Sequence, residues 1–441
     1  IEKLLSLAIV KMAALDPYAM GIEMEGGKPG WYDALNGLPG LFGSSMAEAY
    51  ELERMIDYME EQLQGRRGQF RLPEELADLA DAFIDGAIRW KEELESDGAT
   101  MHFWNQINDA KEQFWEKTAV QVQGEYRILE TVKVQEFLEM SSHVLALGRK
   151  KSRRISNGVP ATYYYYELIQ YEKEEDGIRP LAFEVRKTPD FLEGAVHSLK
   201  LKAEAKNRRQ IYHNVRESRL YDRKLRMYKV NASLSEASFE LGRACAFTPG
   251  WLENESVWLH MEYKYLLELL KTEMYEEFAE DWKNAGIPFL DEEIYGRIPL
   301  ENSSFLVSSV NPNRAVHGKG FVARLSGSTA EFLQIWQIMM FGAKPFVWEE
   351  GVLKLKFTPF LPKYLLEGTR QVKACFLGNV TVVYCLPDEE TILPGNYCIT
   401  QYTLCWKDKN VKRCTQIYGT LAEAVRSGEI DQIVVQIERI D

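Results

Sequence analysis

The stretch SSMAEAYELERMIDYMEEQLQ, residues 44–64, sets a helical reading for the first part of the chain. It opens with a serine cap and a glutamate in the first turn, and it places Met46, Tyr50, Met55, Ile56 and Met59 near one face. Upstream, Leu4, Ile9, Met12 and Leu15 in IEKLLSLAIVKMAALDPYAMG suit an amphipathic helix better than a signal segment. Downstream, PEELADLADAFIDGAIRWKEELES begins with Pro73, which a first helical turn tolerates. ATMHFWNQINDAKEQFWEKTAVQV and VQEFLEMSSHVLALGRKK continue the series. Long helices with short connections build helical hairpins, bundles and α/α barrels, so the expected class is mainly α.

Around residue 160 the period changes. TYYYYELIQYEK, RPLAFEVRK, RQIYHNV and KLRMYKVNASL are rich in Tyr, Val and Phe and read as strands of an insertion over 160–235. The basic stretch HSLKLKAEAKNRR between them reads as a helix. Tyr163 to Tyr166 invite a sugar-stacking platform, but strand composition explains them as well. Helices return over 236–345, where Ser328 and Glu331 resemble a capping box. After 345 the runs VLKLKFTP, QVKACFL, VTVVYCL and YCITQYTLCW predict a C-terminal β domain over 346–441. Residues 1–159 and 236–345 are then the helical parts of a single catalytic domain.

Composition narrows the function. The chain has 441 residues, 27% of them charged, and a net charge of −13, so no basic field recruits nucleic acid or an anionic membrane. No apolar run reaches the ~20 residues that span a bilayer. Five of the six cysteines fall in the last 70 residues without metal-ligand spacing, which predicts buried free thiols and a cytoplasmic protein. The chain opens inside a helix without an initiator Met, which suggests a piece of a longer polypeptide.

Three stretches carry candidate chemistry. EGGKPGWYDALNGLPGLFGSS, residues 25–45, surrounds Trp31 and Asp33 with six glycines, a backbone density that needs a reason. A tryptophan face suits pyranose C–H groups, and a carboxyl held partly out of water by such rings would serve as a general acid. FTPGWLENESVWLHMEY places Glu253 and His260 about a helix start, where anions bind. HGKGFVARLSGSTAEF adds His317, Lys319 and Arg324, with Ser326, Gly327 and Ser328 at another helix N-terminus.

In this order the three stretches resemble the inverting sugar phosphorylases, the group of cellobiose, chitobiose and β-glucan-oligosaccharide phosphorylases. WYDALN resembles the family's acid loop, ENESVWLH the motif with a sugar-contacting Glu and a phosphate-binding His, and SGST the phosphate turn. The resemblance implies Asp33 as catalytic acid, Trp31 and Glu253 as sugar contacts, and His260, Ser326, Gly327 and Arg324 as the phosphate cradle. It implies an (α/α)6 barrel, of which this chain would hold the C-terminal portion, the remainder and an N-terminal β-sandwich lying in the absent N-terminal part. Gly30 stands where the family has an acidic residue, and Glu255 and Ser256 replace a Gly-Gly pair. With the long insertion, these departures point toward enzymes acting on β-1,3- or β-1,2-oligoglucans.

The implied reaction needs one carboxyl, because phosphate is itself the nucleophile. Asp33 would protonate the glycosidic oxygen while phosphate attacks C1 from the opposite face, releasing α-glucose 1-phosphate. No cofactor or metal is called for, and phosphate is a co-substrate. The expected partners are a β-gluco-oligosaccharide, phosphate and the rest of the same polypeptide, with no nucleic acid or membrane and a homodimer left open. Two rivals stand beside this reading: an inverting glycosidase or transglycosylase, and an inactive glycan-binding relative.

Overall fold

The computed structural model describes residues 1–26, 30–175, 177–298, 301–323 and 327–440. By its internal contacts the chain divides into two compact units, Ile1–Tyr265 with Leu290–Ala323, and Leu266–Phe289 with Arg324–Asp441.

The first unit is built on α1 (Glu2–Ala13), α2 (Met46–Leu63), α3 (Glu74–Trp90), α4 (Asp97–Thr118) and α5 (Thr131–Ile155). Apolar residues at helical spacing give each helix one buried stripe, and the stripes share a core. Ile9 and Met12 of α1 meet Ile56 and Met59 of α2, Phe83 of α3, Ile107 of α4 and Phe137 of α5 there. Ser45 caps α2 by accepting the Glu48 N–H at 3.3 Å. A ribbon of Gln69–Pro73 and Tyr126–Glu130 leads into α3 and α5.

An antiparallel sheet of Ile22–Glu23, Ser44–Ser45, Tyr163–Glu174 and Gly177–Lys187 crosses this helical group. Ser44 and Ser45 pair with Tyr164 and Tyr163, so the sheet pins the end of the glycine-rich stretch to the tyrosine strand. Tyr163, Tyr164 and Tyr166 are core residues. Strand composition, not a sugar platform, accounts for them. The remainder of 160–235 departs from expectation. RQIYHNV lies in α7 (Ala205–Glu217), and HSLKLKAEAKNRR is broken between α6 (Leu192–Leu199) and α7. Tertiary packing of Tyr212 and Val215 outweighs their strand propensity.

In the second unit a five-stranded sheet runs in the order Gln371–Phe376, Val380–Cys385, Ile430–Arg439, Tyr397–Trp406, Val411–Cys414. Its central pair, Val380–Cys385 and Ile430–Arg439, is parallel, and its other pairs are antiparallel. Val382, Tyr384, Ile433 and Val435 are buried there. All six cysteines are free, but none is fully buried, and Cys375 and Cys398 are exposed. Cys245 sits in the 3₁₀ turn Arg243–Ala246, and strand alternation keeps the other five out of the core, correcting the expectation of buried thiols.

Helices make up 43% and strands 24% of the fold, so the mainly-α expectation is corrected to a mixed class. No (α/α)6 barrel is formed among the described residues. Most of the strand content lies in Tyr163–Glu174, Gly177–Lys187 and the strands after 345, and Gln69–Pro73, Tyr126–Glu130, Ser303–Leu306 and Gly320–Ala323 add to it within parts expected to be helical. Among the described residues no helix is long and apolar enough to cross a membrane.

Candidate functional site

The glycine-rich loop is nailed down by Tyr32. Its ring is fully buried against Phe191 at 4.8 Å and Tyr163 at 6.1 Å, and its hydroxyl donates to the Val230 carbonyl at 3.3 Å. With Tyr32 turned inward, its neighbour Trp31 is half-buried and Asp33 is exposed. Beyond it the chain makes a 3₁₀ turn, Leu38–Leu41, on a bed formed by residues 238–247. The Gly37 N–H donates to the Leu241 carbonyl at 3.1 Å, and a Cβ on Gly37 would fall onto the Glu240 carbonyl oxygen. Facing it, Gly242 has φ +131°, and a Cβ there would lie 2.5 Å from the Ala34 carbonyl oxygen. Two of the glycines thus let two backbones touch, which answers part of the question the loop's composition raises.

The second stretch arrives from 219 residues away. Glu253 Oε2 accepts the Ala34 N–H at 3.0 Å, joining the glycine-rich loop to the turn before α8 (Leu259–Lys271). Leu252 and Glu255 hold left-handed conformations in that turn, at φ 49° and 59°. Asn231 supports it, donating to the Glu253 carbonyl at 2.7 Å and accepting the Glu255 N–H at 2.6 Å. The Glu255 carboxylate is buried and paired with the buried Lys229 ammonium at 2.6 Å. The extra carboxylate at the Gly-Gly position is therefore neutralised internally.

Burial pushes the Glu253 carboxyl above its ordinary value, the Ala34 N–H pulls it back, and the charge of Asp33 pushes it up again. Asp33 itself is exposed, so the expectation that rings enclose it is corrected: Tyr32 spends its ring on the core below. Trp31 meets the half-buried His260 ring at 5.8 Å and the Trp258 ring at 5.6 Å. Trp258 stacks on Phe305 at 5.8 Å, and Trp251 stands edge-on to Phe305 and Phe321 at 5.1 and 4.8 Å. The result is a wall of partly exposed rings, packed on the buried Phe305, beside two carboxyls.

On its other side Trp31 lines a cavity of about 330 Å³. Tyr163 donates there to the buried Glu193 at 2.8 Å, and burial raises the Glu193 carboxyl despite His197 and Tyr163. Burial also pushes the Glu51 carboxyl up, but hydrogen bonds from His197 at 2.6 Å and Lys200 at 2.7 Å hold it well below the carboxylate range. Apolar and aromatic surface with a few fixed polar groups is the usual lining of a small-molecule site.

The structure therefore joins Trp31, Asp33, Glu253 and His260. Arg324 and Ser326 lie outside the described residues. Gly327 begins α11 (Gly327–Phe341) in the second unit, so Ser328 lies inside the first turn and does not cap it. His317 is engaged: its Nε2–H donates to the Asn311 carbonyl at 2.7 Å, and its Nδ1 accepts from Lys224 at 2.8 Å. Lys229, Asn231 and Trp258 are the supports that sequence reasoning missed. Trp258 lay within a stretch already singled out, whereas nothing local in KLRMYKVNASL marked Lys229 or Asn231. No protein-family model matches the chain, and no curated protein matches it.

Proposed function

We propose that this protein catalyses inverting phosphorolysis of β-linked gluco-oligosaccharides of the β-1,3 or β-1,2 type. The observation that carries the reading is the contact between two remote stretches: Ala34 N–H to Glu253 Oε2 at 3.0 Å, with Trp31 beside His260. An acid, a sugar-facing carboxylate, an aromatic face and a histidine then share one surface. Asp33 gives its proton to the glycosidic oxygen as the C1–O bond breaks. Phosphate attacks C1 from the opposite face, with His260 stabilising its charge. The products are α-glucose 1-phosphate and a shortened chain. For Ser326, Gly327 and Arg324, membership of the phosphate cradle rests on the resemblance alone.

The test is a panel of β-linked gluco-oligosaccharides with phosphate, read as α-glucose 1-phosphate released. Asp33→Asn keeps the loop's shape and loses the proton, so the rate is expected to fall ~10²–10⁴-fold. His260→Ala is expected to raise KM for phosphate roughly ten- to a hundredfold, the worth of a charge-assisted hydrogen bond. One observation favours a second reading. The Glu253 carboxyl, raised by burial and by the nearby Asp33 charge, supplies the second carboxyl that an inverting hydrolase needs. Sugar release independent of phosphate would select that reading and overturn the first.

A further inference from the structure

On the face of α2 that carries Tyr50, a separate cavity of about 270 Å³ is bounded by the last turns of α5 and by α7. Its walls stand out in an acidic protein. The chain carries 66 acidic residues against 53 basic ones, yet none of the cavity's 14 lining residues is acidic, and two are Arg149 and Arg153. Arg149 gives one Nη to Glu53 at 3.1 Å, outside the lining. Arg153 is exposed, and among the described residues its guanidinium makes no ion pair within 4 Å. Both arginines bear on the buried Tyr50 phenol, which burial pushes up to about 12 while the two positive charges pull it down.

Of the remaining polar groups, Ser152 and Ser156 already bond to the Tyr164 hydroxyl and the Arg153 carbonyl. Asn207, in the first turn of the 13-residue α7, lines the cavity, and that helix end adds favourable partial charge for an anion. Asn214 is already engaged, donating to the Gly158 carbonyl at 2.8 Å and accepting from Gln210 at 2.9 Å. That bond ties the loop after α5 to α7 and keeps the walls together. Two guanidinium groups, Arg149 shared with Glu53 and Arg153 without an ion pair among the described residues, over a lining that holds no carboxylate match a tetrahedral dianion better than a neutral sugar or an amine.

We propose that this cavity is a binding site for a phosphate dianion, free or as a small phosphomonoester, held by Arg153 and Arg149 over the N-terminal turn of α7. It does not rest on the phosphorolysis reading, and its residues are distinct from Asp33, Glu253 and His260.

The experiment is calorimetric titration of the wild type, Arg153→Gln and His260→Ala with inorganic phosphate, glucose 6-phosphate and glucose. Binding of a phosphate species in the millimolar range or tighter is expected, with glucose silent at this site. Arg153→Gln should weaken it roughly ten- to a hundredfold, since a charge-assisted bond is lost. His260→Ala should leave it unchanged, which separates it from any phosphate bound beside Asp33. A preference for glucose 6-phosphate over inorganic phosphate identifies the monoester as occupant, and the reverse identifies the free ion. Arg153 is exposed and unpaired, so the variant's melting temperature should match the wild type. Equal phosphate isotherms for wild type and Arg153→Gln, or none with either phosphate species, overturn the proposal.

Discussion

Lys229 and Glu255 show what a single buried pair does beneath a site. Their side chains are 6% and 8% exposed and 2.6 Å apart, so each charge depends on the other for its place in the interior. Removing one partner leaves an uncompensated charge, which costs about 3–5 kcal/mol, while replacing both by apolar groups costs far less. Lys229→Met is expected to destabilise by about that amount in urea unfolding. Lys229→Met with Glu255→Leu should recover most of the loss. A double variant as unstable as the single one would mean that packing, not charge, governs the position. Asp16 plays a comparable part upstream. Its two oxygens accept the Tyr18, Met20 and Gly21 N–H groups and the Ser44 hydroxyl, closing the turn that leads into the glycine-rich stretch.

At the scale of elements, the glycine-rich loop owes its shape to backbone contact with residues 238–247. Gly37 and Gly242 are where the two chains meet, and a side chain at either has no room. Gly37→Ala must push the loop away from the Glu240 carbonyl, an overpacking cost of roughly 1–3 kcal/mol. Because Asp33 sits four residues earlier, the same change is expected to lower kcat for oligosaccharide cleavage at least tenfold. Gly40→Ala is the control, since a Cβ there meets nothing within 4 Å. Equal activity in both variants would separate the loop's packing from catalysis. Glycine clustering made this loop legible from sequence. Which glycines were required was not, because the partner segment, a pair of 3₁₀ turns, lies 207 residues on.

For the whole molecule, carboxyl burial sets the pH response. Burial raises Asp16, Glu23, Glu53, Glu193 and Glu253 above their ordinary values. Stability from these groups is complete below the unfolded value of about 4 and is lost as pH climbs through the raised folded values. Glu349 and Asp388 act oppositely: Lys354 and Lys356, and Arg439, hold them to about 2. Their contribution is present above about 4 and fades as pH falls toward 2, and it is small because the pairs are exposed. With a net charge of −13 adding self-repulsion at neutrality, the melting temperature is expected to peak on the acid side of pH 7. Glu193→Gln should flatten the decline above the peak. A melting temperature rising steadily from about pH 5 to pH 8 would contradict this.

What the sequence determined by itself is local. Helical periodicity marked α1 to α5, Ser45 announced its cap, and alternation marked the C-terminal strands, because each signal is complete within one or two turns of chain. Trp31, Asp33, Glu253 and His260 were likewise visible as residue types in unusual backbone. Only the tertiary structure decided which of them meet, that Tyr32 and the tyrosine strand are core, and that Asp33 stands exposed. It also decided where the two-residue strands form, since they exist only by pairing with distant partners. Lys229 and Asn231 belong to the same category. A buried counter-charge and a turn clamp are defined by what lies across from them, and no stretch of their own sequence records it.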